Sequence, residues 1–226
     1  MVKIEAVLFD FDHTLGVDGK LEEEALREIA LANCPIAPGD EAVQAVLHRF
    51  RYEPGVPLGT AVGDGLRSWG CPQDKIDRAV ATFRARSLEL APSRVKPMPG
   101  APEMLARLAA LRMPLGILSN GWTQLQHLKA EIIGFPGPVV ASEEIDAWKP
   151  EKKAFEIAVA RFAMNAATTI YVGDNPQVDV AGAKAAGLLA AWADLEGASY
   201  PQGVTRPDFA ITDLAQLPPL IQQAGI

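Results

Sequence analysis

The sequence predicts an α/β fold: a parallel sheet with helices on both faces, plus an inserted helical module. Three observations carry this. Short apolar runs recur and end abruptly at polar residues. Amphipathic stretches of helical period lie between them. One long segment has helical periodicity and no strand. Strands alternating with helices of this length imply βαβ units and hence a parallel sheet.

The first strand is Ile4 to Phe9, an apolar run stopped by Asp10. The second is Pro114 to Leu118, ending at Ser119-Asn120-Gly121, and the third is the shorter Pro138 to Ala141. Thr168 to Val172 is β-branched and ends at Gly173-Asp174. Leu188 to Trp192 and Phe209 to Ile211 complete six strands. Between them, Met104, Leu105, Leu108 and Leu111 share one helix face, and Ala154, Phe155, Ala158 and Phe162 share another. Val178 to Ala186 reads as a helix closed by Gly187, a residue suited to the left-handed C-cap.

From Val17 to about Lys96 no strand is expected. Four helices are: Leu21 to Ala32, Asp40 to Phe50, Leu58 to Trp69 and Gln73 to Leu90. Pro54, Pro57, Pro72 and Pro92 punctuate this stretch. Lys96-Pro-Met-Pro-Gly100 reads as the return hinge.

Composition narrows the function classes. The 226 residues are 49% hydrophobic and 22% charged, so the chain can bury a core and is not intrinsically disordered. A net charge of −7 argues against a nucleic-acid backbone as partner, which needs a concentrated basic face. A small phosphorylated ligand needs only a local positive site. The N-terminal apolar run is broken by Asp10 and Asp12, unlike a signal peptide, and no run approaches a membrane span. The chain is therefore read as cytoplasmic, with no membrane partner. Cys34 and Cys71 lack metal-site or redox-motif spacing and read as reduced packing residues.

The polar residues carry the chemistry. Three strands end in loaded loops: Asp10-Phe-Asp12-His-Thr14, Ser119-Asn120, and Gly173-Asp174 with Asp179 just beyond. In open parallel sheets the loops beyond the strands' carboxyl ends converge on one crevice. That gathers Asp10, Asp12, Asp174 and Asp179. At an effective dielectric near 20, each like-charged pair about 4 Å apart costs on the order of 4 kcal/mol. A hard dication with oxygen ligands, most simply Mg²⁺, offsets this, and no His or Cys cluster favours zinc. Lys149, before Pro150 and a helix, adds positive charge. Carboxylates, a dication and a lysine suit a phosphate. Ser119 offers a hydroxyl, and the amides around Asn120 and Gly121 are expected to open a helix whose N-terminus favours anions. Of the two acids in the DxD pair, one can attack as a nucleophile and the other can serve as general acid, then base.

These four motifs, Asp10-Phe-Asp-His-Thr14-Leu15, Ser119-Asn120, Lys149-Pro150 and Gly173-Asp174-Asn-Pro-Gln-Val-Asp179, resemble in order those of the haloacid dehalogenase superfamily. The resemblance spans nearly the whole chain. It implies a Rossmann-like core, residues 1–16 and 97–226, and a helical cap, residues 17–96. It implies Asp10 as nucleophile and metal ligand. Asp12 would be the general acid/base, with its backbone carbonyl on the metal. Thr14 would hold that loop, and Ser119, with the backbone around Asn120, would bind phosphoryl oxygens. Lys149 would offset charge, Asp174 would ligate Mg²⁺, and Asp179 would support the metal or Lys149. The dehalogenases of the family lack the second acid of the DxD pair, so Asp12 favours phosphoryl transfer.

The expectation is a Mg²⁺-dependent phosphatase acting on a small phosphorylated metabolite through an aspartyl-phosphate. A phosphomutase or phosphonate hydrolase is the alternative, the latter needing a lysine from Lys20, Lys75 or Lys96. A phospho-accepting signalling module is the alternative from another class. His13 departs from the glycine of many family members and either lines the substrate entrance or hydrogen-bonds locally. Glu22-Glu23-Glu24 reads as a solvated helix start, and the four tryptophans as packing residues. Arg49, Arg51, Arg67, Arg84 and Arg86 are candidates to meet an acidic substrate. Monomer and homodimer both stay open.

Overall fold

A computed structural model describes residues 3–224. Its main sheet has six parallel strands in the order β5-β4-β1-β6-β7-β8. These are β1 (Ala6–Phe9), β4 (Leu115–Ser119), β5 (Val139–Ala141), β6 (Thr169–Gly173), β7 (Leu189–Ala193) and β8 (Phe209–Ile211). The chain builds outward from β1 to β5, then returns to the other side of β1 with β6. The point where strand order reverses therefore lies beside the end of β1, where ligands bind in such sheets.

Alternation along β1 sends Val7 and Phe9 to one face and Leu8 to the other. On the first face lie α5 (Ala101–Ala110), α6 (Thr123–Ile132) and α10 (Leu217–Ala224), through Met104, Leu108, Leu125, Leu217 and Ile221. On the second lie α8 (Lys152–Arg161) and α9 (Ala181–Ala185), through Ala154, Phe155, Ala158 and Ala183. Each fully buried Val, Leu or Phe contributes roughly 1.5–3 kcal/mol, so the central strand, buried on both faces, anchors the loop it ends in.

Four helices fill the long segment after β1: α1 (Leu21–Asn33), α2 (Asp40–Tyr52), α3 (Leu58–Ser68) and α4 (Ile76–Arg94). One hydrophobic cluster runs from the sheet face into them, joining Phe9, Phe11 and Leu15 to Leu26, Val43, Phe50 and Phe83.

The structure corrects several boundaries. The first strand starts at Ala6, not Ile4, although Ile4 is buried. The segment expected to lack strands begins and ends in one: β2 (Gly16–Val17) pairs antiparallel with β3 (Lys96–Pro97). Two residues carry no readable alternation, so this ribbon leaves no sequence signature. The helix expected from Val178 opens instead as a π-turn over Pro176–Val180 before α9. Short α7 (Ser142–Ile145) and terminal α10 were not expected. Both cysteines are free.

Candidate active site

β1 ends at Asp10, whose amide donates to Val172 O of β6 at 2.9 Å. The chain then turns tightly: Thr14, Leu15 and Gly16 amides all converge on Phe11 O, and His13 takes a left-handed conformation (φ 58°). The turn returns Gly16 beside Asp12 and leaves the Asp10 and Asp12 side chains at the edge of a cavity of about 120 Å³. Ser119 and Asn120 from the end of β4, Lys149, and Asp174 and Asp179 from the end of β6 also line it. From the helical insertion and its stem come Asp18, Arg51 and Tyr52.

Lys149 is the hub. Its ammonium donates to Asp10 Oδ1 at 2.6 Å, Asp179 Oδ1 at 2.8 Å and Tyr171 Oη at 2.8 Å, using all three protons. Burial alone would lower its pKa, but Asp10 and Asp179 outweigh this and hold it well above the usual lysine value. The Tyr171 hydroxyl passes its own proton to Leu118 O at 2.8 Å, tying the hub to β4. The Lys149-Pro150 peptide is cis.

Asp10, Asp174 and Asp179 place carboxylate oxygens within 4.8 Å of one another. Burial, with Lys149 opposing it, pushes Asp10 up to about 8. Burial and then Asp179 push Asp174 up to about 7. A group of oxygen donors so destabilised as anions fits a hard divalent cation. Asp179 also accepts the Asn175 amide at 3.0 Å, so both of its oxygens are engaged. A Cβ on Gly173 would lie 2.5 Å from the Asp179 carboxyl carbon, so only glycine lets Asp179 cross the end of β6.

Thr14 does not line the cavity; it is fully buried and its hydroxyl has no partner. The Asn120 side chain faces Lys149's backbone, donating to its carbonyl and accepting from its amide, both at 2.9 Å, so it positions the lysine loop. The Gly121 amide donates to Ser142 Oγ at 2.9 Å, and helix α6 opens only at Thr123. The Asp12 carboxylate lies outside the three-acid cluster and bonds Lys129 Nζ at 2.8 Å.

Sequence reasoning missed Lys129, which is fully buried and also reaches Asp18 Oδ2 at 3.0 Å. Burial opposes its charge, yet Asp12 and Asp18 hold its pKa above the usual value. It lies on the same helix stripe as Leu125, Gln126 and Ala130, and that spacing was the signal available. Glu22 is likewise not solvated. It is 2% exposed, pairs with Arg51 and accepts the Trp122 indole N–H at 2.8 Å. Of the five candidate arginines, only Arg51 lines the cavity. Arg84 instead reaches Glu143, which also accepts the Thr123 amide. His13 both lines the cavity and bonds Glu196 at 2.9 Å. The four tryptophans are buried; three also donate indole N–H bonds, to Glu22, Phe50 O and Asp174 O. No helix among the described residues is long and apolar enough to cross a membrane.

The sheet's strand order reverses beside Asp10, with Lys149 and further aspartates around it, which makes this an α/β fold with an acidic crevice at its switch point. Residues 4–187 match the haloacid dehalogenase-like hydrolase family model, and the chain belongs to that family. It is 32% identical to the phosphoserine phosphatase of Thermus thermophilus, over 94% of this chain and 90% of that protein. It is 30% identical to haloacetate dehalogenase H-2 of a Moraxella species, over 93% and 95% of the two chains. The crystal structure of a 2-haloacid dehalogenase from Pseudomonas syringae shares the fold with a TM-score of 0.75 at 24% identity, covering 99% of both chains.

Proposed function

We propose that the protein is a Mg²⁺-dependent phosphatase that hydrolyses a small phosphomonoester through an aspartyl-phosphate on Asp10. The carrying observation is the charge of the cavity. Five aspartates line it against Arg51 and Lys149, and burial makes Asp10 and Asp174 reluctant to ionise; a dication among the acids would let them ionise without repelling a phosphate. Asp10, Asp174 and Asp179, with the Asp12 backbone carbonyl, would hold that ion. Bound there, it would neutralise the acids and polarise the phosphoryl oxygens.

One oxygen of Asp10 is fixed by Lys149, and its other oxygen attacks phosphorus. The bond from phosphorus to the ester oxygen breaks, and Asp12 gives that oxygen a proton. Asp12, now a carboxylate, takes a proton from water. The water oxygen bonds to phosphorus, the Asp10–phosphorus bond breaks, and inorganic phosphate leaves. Ser119, which lines the cavity, would hold a phosphoryl oxygen. Asn120 acts through the lysine loop, and Thr14 packs the turn. Residues 17–96 would act as a cap that excludes water during the first step.

Asp12 supports this reading over dehalogenation, because a departing halide needs no proton and an alkoxide does. The phosphatase relative supports it too. The small cavity favours a compact phosphorylated metabolite. None of Lys20, Lys75 and Lys96 lines the cavity, which disfavours a Schiff-base phosphonate hydrolase. The test is phosphate release from p-nitrophenyl phosphate and a panel of phosphorylated sugars, nucleotides and organic acids with Mg²⁺. Asp10→Asn is expected to lower turnover at least ~10³-fold, since it removes the nucleophile. No turnover by the native chain, or undiminished turnover by the variant, overturns the reading.

A further inference from the structure

The most unusual group outside the family motifs is Lys129, a lysine with no exposed side-chain surface on the inner face of α6. Its ammonium lies 5.6 Å from the Phe11 ring centre and joins two carboxylates, Asp12 and Asp18. Asp18 is itself fixed: its Oδ1 accepts the Lys20 amide at 2.9 Å, and Arg51 stands 3.8 Å from its Oδ2. The ammonium is thus held from both sides. Asp12 is not: its side chain is 30% exposed at a tight turn, and Lys129 is the one hydrogen-bond donor that the described residues offer its carboxylate.

We propose that Lys129 is a positioning residue for Asp12, pinning one carboxylate oxygen so that the other faces the departing ester oxygen. This rests on the reading of Asp12 as general acid. A proton donor must lie within hydrogen-bond reach of the atom it serves. A carboxylate held only by its own torsions visits several rotamers, and the bond to Oδ1 selects one. The same ammonium stands 2.8 Å from one oxygen of the carboxylate on which charge develops as the proton departs. Asp18 lies in the stem of the helical insertion, so a shift of the insertion would be felt at Asp12 through this one lysine.

A lysine that merely neutralises Asp18 would make a different prediction, and leaving-group dependence separates the two. An alkyl phosphate needs proton donation; 2,4-dinitrophenyl phosphate barely does. The experiment measures kcat/KM, which covers steps up to alcohol release, on glycerol phosphate and on 2,4-dinitrophenyl phosphate. Lys129→Met is expected to lose roughly 30-fold on the alkyl ester and less than about 3-fold on the aryl ester, part of the 10²–10⁴ that acid catalysis supplies. In an Asp12→Asn background, adding Lys129→Met is expected to change alkyl-ester hydrolysis by less than about 2-fold, because the two act as a unit. Equal losses on both esters, or losses that multiply in the double variant, overturn the proposal. If Lys129→Met does not fold, Lys129→Gln, which keeps a donor, carries the same comparison with a smaller loss of the same selectivity. Asp12→Asn alone tests the underlying reading: intact alkyl-ester hydrolysis there removes both, whereas multiplying losses remove only the role of Lys129.

Discussion

At the scale of single residues, the site is dominated by carboxyl groups that burial makes reluctant to ionise. Asp10 is held up to about 8 and Asp174 to about 7 in the metal-free protein, while an unfolded aspartate releases its proton near 3.9. Across that window the folded chain keeps protons that the unfolded chain has lost. Stability therefore falls as pH rises from about 4 to about 8. A divalent ion bound to the ionised carboxylates reverses the penalty. Thermal unfolding of chelator-treated protein is expected to show a lower Tm at pH 8 than at pH 5.5. Millimolar Mg²⁺ is expected to raise Tm more at pH 8 than at pH 5.5. A Tm that rises with pH without metal, or a Mg²⁺ effect confined to the acidic side, contradicts this. Asp10 and Asp174 were legible in the sequence because each directly follows a strand end, and Lys149 because it directly precedes a proline and a helix. Tyr171 and Lys129 were not, because each sits inside an element whose pattern reads as packing, and only the fold turns its polar atom toward the site.

At the scale of elements, the first turn of α1 shows how a charge run divides its labour. Glu22 and Glu24 are two residues apart in one acidic stretch that reads as uniformly solvated. The helix turns Glu22 inward, where it joins Arg51 to Trp122 and so links the insertion to α6. Glu24 stays at the surface beside Arg94. Removing one partner of a buried pair strands the others, whereas exposed pairs contribute little. Glu22→Ala is expected to lower unfolding free energy by roughly 2 kcal/mol in urea titration, and Glu24→Ala by less than about 0.5 kcal/mol. Equal effects would show that the Glu22 link is not structural. The helices themselves were readable from apolar periodicity. The β2–β3 ribbon was not, because a two-residue pairing is set by the meeting of distant segments.

At the scale of the whole molecule, the sheet explains why residues 10, 119, 149, 174 and 179 belong together. The strand order reverses at β1, so the segments after β1, β4, β5 and β6 share one mouth. The helical insertion enters through β2, returns through β3 beside the loop that follows Asp10, and lends Asp18, Arg51 and Tyr52 to the same cavity. A chain of net charge −7 does not attract phosphate through its overall field, so in the proposed reaction capture would fall to Ser119 and the ion that the acids would gather. In the proposed reaction Asp10 becomes covalently phosphorylated. The most direct measurement is mass spectrometry of Asp12→Asn, acid-quenched during reaction with 2,4-dinitrophenyl phosphate and Mg²⁺. In that variant the aryl group can leave without an acid, while water lacks its base. One phosphoryl group is expected on the peptide bearing Asp10, removed by hydroxylamine and absent from the Asp10→Asn protein. Turnover with no phosphorylated aspartate, or with the phosphoryl group on another residue, would contradict it.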